Sequence, residues 1–376
     1  MEYIKQNNLK HLKKIINKDC YDKILVVTGK NSFSKSGAKK IITNLLINKK
    51  KKIFFRLSKL PEIEELKNLN NEIKIFKPKL IISIGGGATL DLAKVANVLY
   101  DEKNLESKIK NNKYSISDRF CDLLAIPTTA GSGAEVTTNA VIYVGKRKFS
   151  IESKFVKPNY SLLFPELIIS NTFNTKVSSA FDALSQAIES MISVNSNPKS
   201  LQYSIKSIKY FLNNYTSYIY MNKITYTYNI CLSAYYSGKA ISITKTTAPH
   251  AISYPFTSYF NVPHGHAVSL TLSEFLKFNF KNHKKSLTKF NLINRYNILF
   301  KLFNVHNISE LITKIENIKN TFGLETDLIK INKNIPKKIN LILNNVNVQR
   351  LTNNPVRVTK KNILDILNKK IKESKY

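Results

Sequence analysis

Asp182 and Gln186 lie four residues apart in Asp182-Ala-Leu-Ser-Gln186, a spacing that sets both on one face of a helix. Downstream come His250 and His264, the latter within Val262-Pro263-His264-Gly265-His266. The chain has six histidines, and three fall in this stretch. A carboxylate oxygen, an amide oxygen and two imidazoles suit a divalent metal of intermediate hardness, Fe²⁺ or Zn²⁺. Spacing alone leaves the commoner alternative open, in which each histidine is a hydrogen-bonded core residue.

A second kind of chemistry resides in two turns. An apolar run, Ile81-Ile-Ser-Ile84, enters Gly85-Gly86-Gly87-Ala88-Thr89-Leu90-Asp91. A strand, a glycine turn and a helix start in that order let backbone N–H groups approach a pyrophosphate. The pattern is not G-x-G-x-x-G. Further on, Pro127-Thr128-Thr129-Ala130-Gly131-Ser132-Gly133 also follows a strand and offers the hydroxyls of Thr128, Thr129 and Ser132. An ordinary Ser/Thr-rich turn would read the same way. Two such loops after strands of one sheet favour a ligand at the carboxyl ends of those strands.

The elements that must position these residues change character along the chain. Strand-like runs at Lys23–Thr28, Lys52–Leu57, Leu80–Ile84 and Asp122–Ile126 alternate with helical periods at Ser36–Asn48, Pro61–Phe76 and Thr89–Tyr100. That alternation predicts βα units and a parallel sheet. Beyond Pro165 the pattern becomes helical, with long stretches at Lys176–Val194, Lys199–Tyr218 and Ile224–Ile243. A boundary is expected near Pro158–Pro165. It separates an α/β dinucleotide-binding domain, residues 1–163, from an all-helical metal and substrate domain, residues 164–376. Lys360–Tyr376 reads as a final amphipathic, lysine-rich helix.

The 376 residues are 43% hydrophobic, enough for sizeable cores, and carry a formal charge of +34. Such charge suits nucleic-acid binding. The lysines are nevertheless spread through loops and tails with Asn and Ile, as a compositional bias would leave them, and no specific nucleic-acid partner is expected. A positive field would still steer anionic ligands. The three cysteines, Cys20, Cys121 and Cys231, are far apart, which disfavours a disulfide framework or a thiolate zinc site. Neither a leader pattern nor a membrane-length apolar run is evident, so a reduced, cytoplasmic protein is expected.

The ordered motifs resemble those of the iron-containing (group III) alcohol dehydrogenases. The resemblance rests on Gly85-Gly86-Gly87 with Asp91 and Lys94, the Pro127–Gly133 turn with Glu135-Val136-Thr137, and Lys148 with Ile151 and Ser153. It continues through Asp182-Ala183-Leu184 with Ala187-Ile188-Glu189, then His250, Pro263-His264-Gly265 and Asn354-Pro355. It implies a Rossmann-like nucleotide domain and a helical domain with a cleft between them, the dehydroquinate synthase-like architecture. It also implies an NAD(P)-dependent oxidoreductase acting on CH–OH groups, and homodimers or larger assemblies. By this resemblance the metal ligands fall on Asp182, Gln186, His250 and His264, with Fe²⁺ favoured over Zn²⁺. The cofactor contacts fall on Gly29, Gly86, Gly87, Asp91, Thr128, Thr129, Ser132 and Lys148.

Three positions depart from the family pattern. Gln186 stands where most members have histidine, which weakens one ligand. Tyr254 replaces a frequent histidine four residues after His250; it or His266 could deliver a proton. Gly29 stands where NAD-specific members often carry Asp for the ribose 2′-hydroxyl. With Lys30 following, this leans toward NADPH over NADH, or toward dual use. The wording from Lys245 to Ala267, together with Gln186, is similar to the branch that reduces phosphonoacetaldehyde to 2-hydroxyethylphosphonate. Lys245 and Thr247 are then candidate phosphonate contacts. The alternatives are reduction of another small aldehyde or polyol on the same fold, a dehydroquinate synthase-like lyase, a degenerate enzyme and, more remotely, a basic nucleic-acid-binding protein.

Overall fold

A computed structural model describes residues 1–4 and 8–373. The chain begins with β1 (Glu2–Tyr3), α1 (Leu9–Ile16), β2 (Lys23–Gly29), α2 (Lys30–Lys35), α3 (Ala38–Leu45), β3 (Lys50–Arg56) and α4 (Ile63–Phe76). It continues through β4 (Leu80–Gly85), α5 (Gly87–Val98), α6 (Leu105–Lys110), β5 (Asp122–Pro127), β6 (Asn139–Val144), β7 (Arg147–Glu152) and β8 (Tyr160–Leu162). Helices follow: α7 (Phe173–Ile192), α8 (Pro198–Leu212), α9 (Tyr215–Tyr220), α10 (Ile224–Thr244), α11 (Ala248–Phe260), α12 (His264–Lys281), α13 (Leu292–Phe303) and α14 (Ile308–Thr321). Shorter turns then lead to a last helix, Lys360–Glu373. Of the tail helix expected over Lys360–Tyr376, residues 374–376 lie outside the described residues.

The chain divides into two compact units, Met1–Thr172 with Tyr220–Gly238, and Phe173–Ile219 with Lys239–Tyr376. This division differs from 1–163 and 164–376 in two ways. The boundary falls nine residues later, and most of α10 clusters with the first unit. Among the described residues, no helix is long and apolar enough to cross a membrane.

The first unit is a parallel six-stranded sheet in the order β1-β8-β5-β4-β2-β3. Parallel strands covered on both faces read as unbroken apolar runs, and every residue of β4 is buried. Alternate residues serve opposite layers. Ile24, Val26, Leu80, Ile82, Leu124 and Ile126 pack with Leu12, Phe33 and Ile42 of α1–α3. Leu25, Val27, Ile81 and Leu123 pack with Leu66 and Leu69 of α4, Val95 of α5 and Ile142 of β6. Each such side chain contributes roughly 1.5–3 kcal/mol on burial. The chain steps outward from β2 to β3, then crosses to β4 on the other flank of β2. The resulting switch point lies between β2 and β4, where the loops at Gly29 and Gly85–Gly87 open. The βα alternation gives no hint of the antiparallel hairpin β6–β7, which turns at Gly145 with φ +58°.

In the second unit α7 is the central helix. From Lys176 to Ile192 every residue but Ser179 is buried. α11 and α12 share a core with later segments, through Ile252, Phe256, Leu270 and Phe275 against Leu328, Ile342, Ile363 and Leu367. Pro255 lies inside α11 and has no N–H for the carbonyl of Ala251. The Asn347 N–H donates to that carbonyl instead, at 3.2 Å. The helix expected over Lys199–Tyr218 is interrupted at Asn213-Asn214, which separates α8 from α9.

One close approach in the first unit fixes a turn of interest. Gly133 has φ +60°, and a Cβ there would lie 2.5 Å from Gly238 Cα; a Cβ on Gly238 would lie 2.6 Å from Gly133 O. The Ser132–Gly133 turn therefore rests directly on α10 backbone. Gly238→Ala should destabilise the protein by about 1–3 kcal/mol through overpacking, read as a lower midpoint in urea. A midpoint equal to that of the wild type would show that the turn moves freely off the helix.

Candidate functional site

α7 presents Asp182, Gln186 and Glu189 at successive turns, at positions i, i+4 and i+7 of one helical face. Their exposures are 5%, 3% and 0%. His250, in the first turn of α11, lies between the two acids. Its Nε2 faces Asp182 Oδ1 at 3.1 Å and its Nδ1 faces Glu189 Oε1 at 2.6 Å. Glu189 Oε2 accepts from the backbone N–H of Thr247 at 2.5 Å and from its hydroxyl at 3.0 Å. Burial alone would push the imidazole pKa down. Glu189 and Asp182 outweigh it and raise the pKa to about 10.

His264 opens α12. Its ring lies 5.3 Å from that of His250, edge to face, and 5.8 Å from the Tyr254 ring, stacked at 24°. What brings His264 to Asp182 is its neighbour Gly265. A Cβ on Gly265 would come within 1.9 Å of Ser178 O and 2.9 Å of Asp182 Cβ. Only a glycine lets the start of α12 lie this close against α7. One donor atom from each of Asp182, His250 and His264 then falls within 4.8 Å of the others. Tetrahedral ligands about 2.1 Å from one ion are ~3.4 Å apart, so small rotamer adjustments would bring all three onto a divalent ion. A buried set with two carboxylates also favours a cation over solvent. The residues therefore fit a metal.

In the first unit, Gly86 caps α5 with extended φ −70° and ψ 176°, and the first-turn N–H groups of Gly87 and Ala88 have no intrahelical acceptor. A Cβ on Gly86 would meet the Thr129 side chain at 3.5 Å, and one on Gly87 would meet Ser132 Oγ at 2.6 Å. The two turns therefore face each other at the ends of adjacent strands, where Gly85 pairs with Pro127. Thr128 is buried behind them, its N–H on Gly85 O and its carbonyl accepting from Asn171 Nδ2. Gly29 ends the neighbouring strand β2.

The sequence matches the model for iron-containing alcohol dehydrogenase over residues 2–165 and the C-terminal model of that family over residues 176–371. The chain belongs to the iron-containing alcohol dehydrogenase family. Among curated relatives, a 4-hydroxybutyrate dehydrogenase of Clostridium kluyveri is 31% identical over 58% of this chain and 59% of its own length. A phosphonoacetaldehyde reductase of Streptomyces viridochromogenes is 29% identical over 56% of each. These alignments span less than two thirds of the relatives' own lengths. A solved sulfoacetaldehyde reductase from Bifidobacterium kashiwanohense, in complex with NAD+, shares the fold with a TM-score of 0.85 at 22% identity, covering 99% of this chain and 96% of that one.

Against this iron-containing dehydrogenase frame, the residues expected at the site divide. Asp182, His250 and His264 come together, with Gln186 one turn beyond Asp182 and Tyr254 stacked on His264. His266 does not join them. It lies roughly 200° around α12 from His264, and its Nε2 meets Glu325 O at 2.7 Å. Burial lowers its pKa, partly offset by that carbonyl. Thr247 is engaged with Glu189, as described above. Lys245 is half-buried on the turn before it.

Gly86, Gly87, Thr129 and Ser132 face one another, whereas Asp91 and Lys148 belong to a charged cluster behind the turns. Asp91 Oδ2 accepts from Val141 N at 3.0 Å, and its Oδ1 lies 3.7 Å from Lys94 Nζ. Burial raises the Asp91 pKa, opposed by Lys94, the Val141 N–H, Lys148 and Arg56. Lys94, fully buried, donates to Ala134 O, Thr137 Oγ1 and Asn139 O. These two acid–base partners hold the second turn and the hairpin to α5.

Residue typing missed Glu189. A signal was available, because an acid seven residues after Asp182 shares its helical face, and an acid buried there needs a partner. Carboxylates behind metal-ligating histidines commonly carry 10–100-fold in affinity. Glu189→Gln should therefore weaken Zn²⁺ or Fe²⁺ retention by about that factor in chelator competition. Undiminished retention would show that Glu189 does not orient His250.

Proposed function

We propose that the chain is a metal-dependent, NAD(P)H-linked reductase of a small aldehyde with an anionic head group, with phosphonoacetaldehyde, reduced to 2-hydroxyethylphosphonate, as the leading substrate. The observation that carries this reading is the Asp182–His250–His264 cluster with Glu189 behind His250. The names of the relatives support the substrate class, since 4-hydroxybutyrate, phosphonoacetaldehyde and sulfoacetaldehyde each pair an alcohol or aldehyde carbon with an anion. The balanced reaction is aldehyde plus NAD(P)H plus a proton, giving alcohol plus NAD(P)+.

Asp182, His250 and His264 would hold the ion, with the amide oxygen of Gln186 as a weaker neutral fourth donor. When bound, a divalent ion supplies Lewis acidity toward a carbonyl oxygen. Glu189 keeps a proton on His250 Nδ1, which leaves the Nε2 lone pair for coordination. Thr247 fixes the second oxygen of Glu189, so this tautomer is set on both sides. Tyr254, stacked on His264, would line the carbonyl site and donate a proton. The α5 N-terminus with Thr129 and Ser132 suits the cofactor pyrophosphate.

The deciding experiment follows NADPH and NADH oxidation with phosphonoacetaldehyde, sulfoacetaldehyde, succinic semialdehyde and butyraldehyde, before and after chelation. Highest kcat/KM on phosphonoacetaldehyde, abolished by chelation and restored by Fe²⁺ or Zn²⁺, is the expected result. Highest kcat/KM on succinic semialdehyde would favour the carboxylate-bearing substrate of the 31% relative. Activity indifferent to chelation would overturn the metal role.

Cofactor choice rests on Gly29. With no carboxylate at the end of β2 and Lys30 exposed beside it, a 2′-phosphate meets attraction instead of repulsion. Gly29→Asp should lower the NADPH-to-NADH ratio of kcat/KM at least tenfold. An unaltered ratio would remove this position from the ribose site.

A further inference from the structure

Two buried cations of the chain are answered by acids, Arg56 by Glu65 at 3.2 Å and Lys319 by Glu316 at 2.7 Å. Arg295 is not. The residue is 9% exposed, yet its guanidinium meets no hydrogen-bond acceptor and no acid among the described residues. Burial lowers its pKa, and no neighbouring charge opposes the shift. An ion withdrawn from water without a partner is costly to a fold.

Its place in the fold sharpens the demand. Arg295 is the fourth residue of α13, which Asn291 caps by accepting from the N–H groups of Ile293 and Asn294. The Arg295 Cζ lies 4.4 Å from the centre of the Phe290 ring, just before that cap. These are the two positions of a hydrophobic staple, so the stack explains where the arginine stem lies. It leaves the N–H donors of the guanidinium unanswered. The ring is held from behind, because Phe290 O accepts from Thr288 Oγ1 at 2.7 Å and Leu287 N–H donates to Pro355 O at 2.8 Å. The first helical N–H, that of Leu292, also has no acceptor among the described residues. Cations are favoured at the C-terminal end of a helix and anions at the start. Here a cation stands at the start, beside a helical N–H that also lacks an acceptor.

We infer that Arg295, stacked on Phe290 at the start of α13, is the anchor of a binding site for a small oxyanion, phosphate or carboxylate. None of its residues belongs to the metal cluster or to the cofactor turns. The fork of a guanidinium matches two oxygens of such an anion, and the helix start favours the same charge. The chain carries 59 basic residues against 25 acidic ones, so a second copy is a poor source of the missing acid. The occupant is therefore an anion free in solution.

Melting temperatures of the wild type and Arg295→Met, each with saturating NADPH, test this as chloride is exchanged for phosphate or citrate at constant ionic strength. Anions held at the cofactor turns or the aldehyde site are common to both proteins and cancel. In chloride, Arg295→Met keeps an apolar stem on Phe290 and loses the unanswered charge, so it should melt at or above the wild type. Phosphate or citrate should then raise the wild type by about 2 °C more than the variant, and saturably. The larger shift with phosphate assigns a tetrahedral anion, and with citrate a carboxylate. Equal shifts in the two proteins overturn the inference. A variant that melts well below the wild type in chloride makes Arg295 a packing element and also overturns it. So does a difference that follows protein concentration and ignores the anion, which would place an acid of a second copy there.

Discussion

Two carboxylates on one face of α7, Asp182 and Glu189, are almost wholly withdrawn from water. Stranding an ionised carboxylate in a protein interior costs several kcal/mol unless charge and hydrogen bonds answer it. Every distinctive feature of the second unit around them answers that demand. His250 stands between them, and Thr247 gives Glu189 two hydrogen bonds. The turn from Thr244 to Thr247 must be rigid to aim that backbone N–H, and Ser193 and Asn353 make it so. The helical unit is thus arranged around an electrostatic problem, and its apolar packing supplies the frame.

Each unit has a close approach that depends on an absent side chain. Gly265 lets α12 approach Ser178 and Asp182, and Gly133 with Gly238 lets a turn rest on α10. The two contacts do different work. The first sets the distance between His264 and Asp182, both candidate metal donors. The second sets the backbone path of Ser132, which faces Gly87. In both, a methyl group would act by displacing a functional neighbour, because interiors packed to crystal density transmit such shifts.

The sheet was legible because its strands are buried on both faces, so Leu123–Ile126 is an unbroken apolar run and Leu80–Ile84 is interrupted only by the buried Ser83. The hairpin over Asn139–Glu152 was not, since half its residues alternate with polar ones and its turn is a single Gly-Lys pair. The membership of Tyr220–Gly238 in the first unit was also hidden. α10 is apolar on several sides, and nothing in its periodicity says which body it joins. At the site, the donors Asp182, His250 and His264 were legible by type and by family likeness. Glu189 and Gly265 were not singled out as site residues, because their roles are to orient and to admit. His266 is a candidate proton donor by its place in the motif, but a step of two residues on a helix sends its ring to the side opposite His264, and Glu325 O holds it there.

Gln186 fits the same electrostatic account. The buried charges are those of Asp182 and Glu189. A proton on His250 balances one of them, which is why its pKa stands near 10. A divalent ion held by Asp182, His250 and His264 balances both, and the buried set becomes neutral. A neutral imidazole at position 186 would leave that balance unchanged, and so does a neutral amide. With Gln186 as the fourth donor, what the substitution would alter is donor strength, because an amide oxygen gives a softly held ion less than an imidazole nitrogen does. The departure from the family pattern would then fall on the affinity of one bond, with the charge balance of the buried set left intact.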